Sequence, residues 1–297
     1  MPRTPGGLVL AEQQPPSRRR RLLFAGITAF VVLVMALAGV TGVRALLDHV
    51  NPPACWTTST SARVEVSPEQ AGNAAIISAV ALRRGLSTRA VTIAIATALQ
   101  ESKLRNLRFG DRDSIGLFQQ RPSQGWGTVE QILDPVYASN AFYDKLVKVK
   151  DYLTRPLTEV AQDVQRSGAP TAYAQHEDEA QALAAALTGA APATLVCRLD
   201  APAVPANSAD VRAALKAEFG LDAKAPDPGS PSVVTVSADG AMAWAVGSWA
   251  VARADQLGLE SVTVLDRTWR SDRSAAWVPQ PTPHSGVQLS VPVSAQR

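Results

Sequence analysis

Glu101 is the penultimate residue of the segment AVTIAIATALQES, whose first ten residues, Ala90 to Leu99, are apolar on every face of a helix. A helix of that kind belongs in the middle of a domain, so its C-terminus carries a carboxyl into apolar surroundings. Those surroundings disfavour the carboxylate, and the negative end of the helix dipole disfavours it too. A carboxyl kept protonated near neutral pH is what a general acid requires. The plain alternative is a solvated glutamate at a frayed helix end. Next comes GDRDSIGLFQQRPSQGWG, Gly110 to Gly127, where Gly, Asp, Ser, Pro and Gln break the helical pattern into a structured loop. Its acids, Asp111 and Asp113, stand either as second carboxyls for Glu101 or as loop caps, since Asp bonds its own backbone in turns.

Glu101-Ser102 followed by Ser114-Ile-Gly-Leu-Phe-Gln119 resembles the E-S and S-x-G-L-x-Q motifs of the lytic transglycosylase and goose-type lysozyme families, within the lysozyme-like superfamily. The resemblance covers residues 65 to 197 and implies cleavage of peptidoglycan glycan strands at the MurNAc-GlcNAc β-1,4 bond, without a cofactor. Glu101 would protonate the glycosidic oxygen. Ser102 and the run Ser114, Gly116, Leu117, Phe118, Gln119 and Gln120 would line the sugar groove, with Gly116 letting backbone approach the glycan. Gly110-Asp111-Arg112 is similar to the goose-type G-D-R, at a spacing one residue shorter, so either Asp111 or Asp113 takes the place of the second acid. An inverting hydrolase needs that second carboxyl, about 6.5 to 9.5 Å away. A transglycosylase manages with one acid, the substrate's N-acetyl and C6 hydroxyl groups completing a 1,6-anhydro product. The family's A-Y-N-x-G motif is altered to Ala161-Gln-Asp-Val-Gln165-Arg-Ser167, which leaves Gln165 to supply amide bonds and Tyr173 to replace the aromatic hydroxyl. Trp126 and Tyr137 read as sugar-stacking aromatics or, as is more often the case for such side chains, as core or loop anchors.

The elements that must position these groups are mostly helical. Ser67-Pro-Glu-Gln70 is a capping-box start for a helix running to Arg84, and Ser87 or Thr88 caps the apolar helix. Helical spacing returns from Thr128, over Asn140 to Lys150, Thr158 to Arg166 and Glu177 to Leu187. His176 reads as a cap before the last of these, and a lone histidine makes no metal site. Farther on, SVVTVS (232–237) and SVTVL (261–265) read as strands around a helical Ala241 to Leu257, a small α/β module whose tryptophans suit binding or packing. That module resembles small domains found behind actinobacterial cell-wall enzymes.

Four arginines, Arg18 to Arg21, precede the uncharged apolar residues 22–43. That order reads as one transmembrane helix with its basic flank in the cytoplasm and everything after Arg44 outside. A cleaved secretory signal has a shorter apolar core, about 7 to 15 residues. The formal charge of +3 belongs largely to this topology signal, so nucleic acid is not an expected partner. The two cysteines, Cys55 and Cys197, suit a disulfide in an exported chain. The resulting organisation is a disordered tail (1–21), a membrane helix (22–43), a spacer (44–64), a mainly α lysozyme-like domain (65–199), a linker (200–231) with one short helix candidate from Ala209 to Phe219, the α/β module (232–279) and a flexible tail (280–297). The rival function is a non-catalytic wall-binding or division scaffold that kept the groove. A transport role draws little from a single span without an intramembrane acid or histidine.

Overall fold

The helical part begins at Ser67. In the computed structural model Ser67 Oγ accepts from the Gln70 amide at 3.2 Å, and Gln70 Oε1 accepts from the Ser67 amide at 2.8 Å. This reciprocal pair satisfies donors that a first turn leaves open, and it starts α1 (Pro68–Arg83). After the turn at Gly85 comes α2 (Thr88–Ser102), buried at every position from Ala90 to Leu99. Ser87 holds the cap position without a side-chain bond, and Thr88 Oγ1 lies 3.2 Å from Thr188 Oγ1 instead. Around α2 gather α4 (Pro135–Leu146), α5 (Leu157–Gln165) and α6 (Glu177–Leu187), and the short α3 (Val129–Ile132) packs on α4. The structure describes residues 52–58, 62–166, 171–200, 207–226, 232–281 and 285–290, and within the N-terminal stretch residues 27, 30, 32–40 and 42.

Residues 53 to 297 form one unit, about half helical with antiparallel sheet. β1 (Ala54–Thr58), β2 (Arg63–Val66) and β3 (Val196–Arg198) make a three-stranded sheet in the order β2-β1-β3. Cys55 faces Cys197 across it, and the two are joined by a disulfide. The stretch 44–64 thus holds a strand within what its composition marks as a spacer. Thr57 and Thr58, the start of the Thr/Ser run, pair with Val64 and Arg63 of β2, while Ala54 to Trp56 pair with the distant β3.

The later elements depart from the linker-and-module arrangement in the same way. The helix expected from Ala209 to Phe219 forms as α7 (Ser208–Phe219), but it packs on α1 and so is no free linker. With α8 (Gly240–Leu257) it encloses Glu218, whose carboxylate accepts from Trp249 Nε1 at 2.5 Å and pairs with Arg253 at 3.1 Å. A six-stranded antiparallel sheet runs β4-β5-β9-β6-β7-β8, built from Ala223–Lys224, Val233–Val236, Ser261–Val264, Arg267–Arg270, Val278–Pro279 and Val287–Ser290 as β4 to β9 in chain order. The stretch 280–297, expected as a flexible tail, supplies β9, a central strand between β5 and β6. Four residues with two buried side chains, Val287 and Leu289, are too short a signal to be read without the strands they join.

Packing against the helical part explains the tryptophans. Trp269 Nε1 donates to the Cys197 carbonyl at 3.1 Å and Trp277 Nε1 to the Leu195 carbonyl at 2.9 Å. Trp249 meets Phe219 edge-on, as Trp244 meets Trp277. All four indoles are buried, so packing is their role. Gly189, at φ +74°, lets the chain after α6 pass against α8; a Cβ there would fall 1.9 Å from the Ala241 carbonyl oxygen.

The readings of 1–21 as a tail and of most of 22–43 as a membrane helix fall outside the described residues. Ile27, Phe30, residues 32–40 and Gly42 are helical, with exposed apolar side chains such as Phe30, Leu33 and Met35. Among the described residues no helix is long and apolar enough to cross a membrane.

Candidate active site

Glu101 lies in the last turn of α2, and α1 fixes where that turn ends. Lys103 and Leu104 both adopt left-handed backbone, at φ 54° and 56°. Their carbonyls accept from α1 side chains, Lys103 from Gln70 Nε2 at 2.9 Å and Leu104 from Asn73 Nδ2 at 2.7 Å. The Glu101 carboxyl is half-buried. Tyr173, itself fully buried, donates its hydroxyl to Glu101 Oε1 at 2.6 Å, and the Gln165 amide bonds the same carboxylate. Burial pushes the Glu101 carboxyl above its ordinary range, and the two donors pull back against that rise. The altered third motif thus brings Gln165 and Tyr173 onto the candidate acid itself.

Gln165 also donates to the Phe118 carbonyl at 2.7 Å, tying α5 to the loop. Ser102 does the same from α2. Its buried hydroxyl donates to the Leu117 carbonyl at 2.7 Å and accepts from the Arg105 amide, so it is a latch and not a groove residue. Leu117 and Phe118 are fully buried, and Phe118 stacks on Phe142 with centroids 4.6 Å apart. Gln120 is buried as well, its amide donating to the Ala138 carbonyl at 3.1 Å. Gly116 does permit a close approach, but to the protein: at φ +79°, its missing Cβ would lie 2.8 Å from the Ile132 carbonyl oxygen. From the S-x-G-L-x-Q run, Ser114 and Gln119 remain beside Glu101, lining an open cleft of about 570 Å³. The motif's other members build the tongue that carries those two.

The two loop acids part company. Asp113 accepts from Arg121 Nε at 2.7 Å, from the Ser123 amide at 2.8 Å and from Ser123 Oγ at 3.0 Å. These donors hold its carboxyl far below the usual carboxylate range, the Ser123 amide most strongly. Asp113 is the staple of its own loop, as turn acids often are. Asp111 lines the cleft with Glu101, its side chain 93% exposed and 3.9 Å from Arg112. A solvated carboxylate is a poor match for the apolar setting of Glu101, so the site holds one half-buried acid.

Trp126 borders the same cleft, yet it is buried, and Lys145 Nζ sits 3.2 Å from its ring centroid. The indole is a wall whose face is covered by an ammonium, an arrangement unlike an open sugar platform. Tyr137 packs against Gly127, an anchor of the loop. His176 stands at the N-cap position of α6 without a side-chain cap bond; its Nε2 lies 3.2 Å from Gln100 Oε1, beside Glu101 in sequence, and burial lowers its pKa. Sequence reasoning missed Arg112, Arg121 and Arg166, which give this cleft a basic rim. Their only signal was three arginines near motif positions, and arginine on a loop is most often solvated. Among the described residues no cluster of histidine, cysteine, aspartate or glutamate is arranged to hold a metal ion. No protein-family model matches the chain, and no curated protein matches it.

Proposed function

We propose that this chain is a peptidoglycan glycan-strand-cleaving enzyme with a lysozyme-like helical domain, exported and anchored by its N-terminal apolar segment. The observation that carries the proposal is Glu101 itself, a carboxyl raised by burial, braced by Tyr173 and Gln165, and open to a cleft. Glu101 gives its proton to the glycosidic oxygen as the MurNAc C1–O bond breaks. With Asp113 committed to Arg121 and Asp111 solvated, the outcome favoured is the one-acid reaction. The MurNAc C6 hydroxyl then attacks C1, returns a proton to the Glu101 carboxylate and leaves a 1,6-anhydro end.

The test is release of soluble muropeptides from purified cell wall by the full-length chain and by a Glu101→Gln variant. The variant loses roughly 10²- to 10⁴-fold in rate, the usual worth of a positioned general acid. Equal rates in the two proteins sink the role of Glu101, and wall binding without any cleavage favours the scaffold reading. Mass spectrometry of the products separates the two chemistries, because an anhydro end is lighter than a reducing end by one water.

A further inference from the structure

The Glu101 cleft continues into a second one. That neighbour, about 560 Å³, shares Gln124, Trp126, Gln165 and Arg166 with the first, so a single groove runs past both. Its far wall is basic. Lys145 lies in the last turn of α4 and Lys148 follows three residues later, while Arg166 closes α5 in left-handed backbone at φ 54°. The three cations are near enough for Arg166 and Lys148 to act on Lys145, whose pKa is lowered first by burial and then by those two charges. Among the described residues no ion pair joins any of the three to an acid. The one acid on this wall, Asp163, is taken by Arg155 at 2.8 Å. Like charges gathered in a concave surface without a counter-ion repel one another, and they focus a positive potential into the groove.

We propose that this basic end binds the carboxylates of the peptide stems on the glycan strand, so that stem-bearing strands are held in preference to neutral ones. The inference rests on the glycan reading of the cleft. A β-1,4 backbone of N-acetylated sugars offers hydroxyl and amide groups. Negative charge enters through the peptide attached at its lactyl ethers. A strand reacting at Glu101 lies along the same groove and presents those substituents to Lys145, Lys148 and Arg166. Two lysines suit this task, because an ammonium is a compact charge on a flexible stem and follows a mobile carboxylate without demanding one bidentate geometry.

The probe is a fluorescently labelled short glycan strand with tetrapeptide stems, compared with the same strand after methyl esterification of its carboxylates. Binding is read by anisotropy on the full-length chain in detergent, carrying Glu101→Gln so that the probe survives. Esterification weakens binding about fivefold at low salt, as expected for two exposed charge pairs, and less as salt rises. In a Lys145→Gln/Lys148→Gln background that ratio falls towards one. Lys148→Gln alone, which leaves the Lys145 contact with Trp126 in place, removes part of it. An unchanged ratio in both variants overturns the proposal. So does indifference to esterification, no binding of either strand, or tighter binding of a phosphodiester wall polymer than of the stem-bearing strand. Absence of cleavage by the protein with Glu101 intact, beside a lysine-dependent ratio, counts against the glycosidase reading alone.

Discussion

At the scale of single residues, the chemistry of Glu101 is a balance between burial and two donors. Burial favours the protonated form that a general acid needs, whereas the bonds from Tyr173 and Gln165 favour the carboxylate, the form that the proposed proton transfer would leave. Tyr173→Phe removes one donor and leaves burial in place. The Glu101 pKa then rises further, so the alkaline limb of the pH–rate profile moves to higher pH. The rate at the optimum falls by about tenfold, since the carboxyl also loses the bond that orients it. Wall-lytic activity measured across pH for both proteins checks this, and an unmoved limb rules out Tyr173 as the residue that sets the acid's pKa.

At the scale of elements, the loop from Gly110 to Gly127 is a tongue tied down at both ends. Ile115 and Gln120 bond each other through their backbones, and Gly116 pairs with Leu107. The tongue can lie this close to α3 only because position 116 has no side chain. Gly116→Ala places a methyl group 2.8 Å from the Ile132 carbonyl oxygen and leaves a non-glycine residue at φ +79°. It destabilises the protein by about 1 to 3 kcal/mol, measured as a shifted denaturant midpoint. Activity falls with it, because Ser114 and Gln119 ride on the same tongue. A variant with parental stability would show that the backbone here is freer than its contacts imply.

At the scale of the whole unit, the helical part and the C-terminal sheet share their packing. The disulfide between Cys55 and Cys197 closes a loop of 142 residues, and Trp269 holds the carbonyl of that same Cys197. In the chain-entropy description such a closure limits the unfolded state by about 5 kcal/mol, an upper figure. A Cys55→Ser/Cys197→Ser pair therefore lowers the melting temperature, and the two parts lose stability together in one transition. Separate transitions for helical and sheet signals would contradict a shared core. The groove is built from α2, α5 and the tongue, and its basic end is lined by Lys145, Lys148 and Arg166.

The sequence alone determined the helices that carry an unbroken local pattern: the Ser67 capping box, the all-apolar Ala90 to Leu99, and Glu101 at its end. Local bonding and burial periodicity lie within a few residues of one another, so they are written in order along the chain. It also placed Gln165 and Tyr173 as candidates, and the pairing of two cysteines. Tertiary structure decided what those candidates touch. Gly116, Leu117 and Phe118 share one motif with Ser114 and Gln119, yet they face the protein, as do Ser102 of the first motif and the adjoining Gln120, because a motif records positions and not the direction in which side chains point. Asp113 and Asp111 are two residues apart and indistinguishable by type. The Arg121 and Ser123 donors that separate them arrive only when the loop folds back. The strands β1 and β9 were hidden for a related reason. Each is short, and each becomes a strand through partners far away in sequence, so the free energy that makes it one is absent from its own residues.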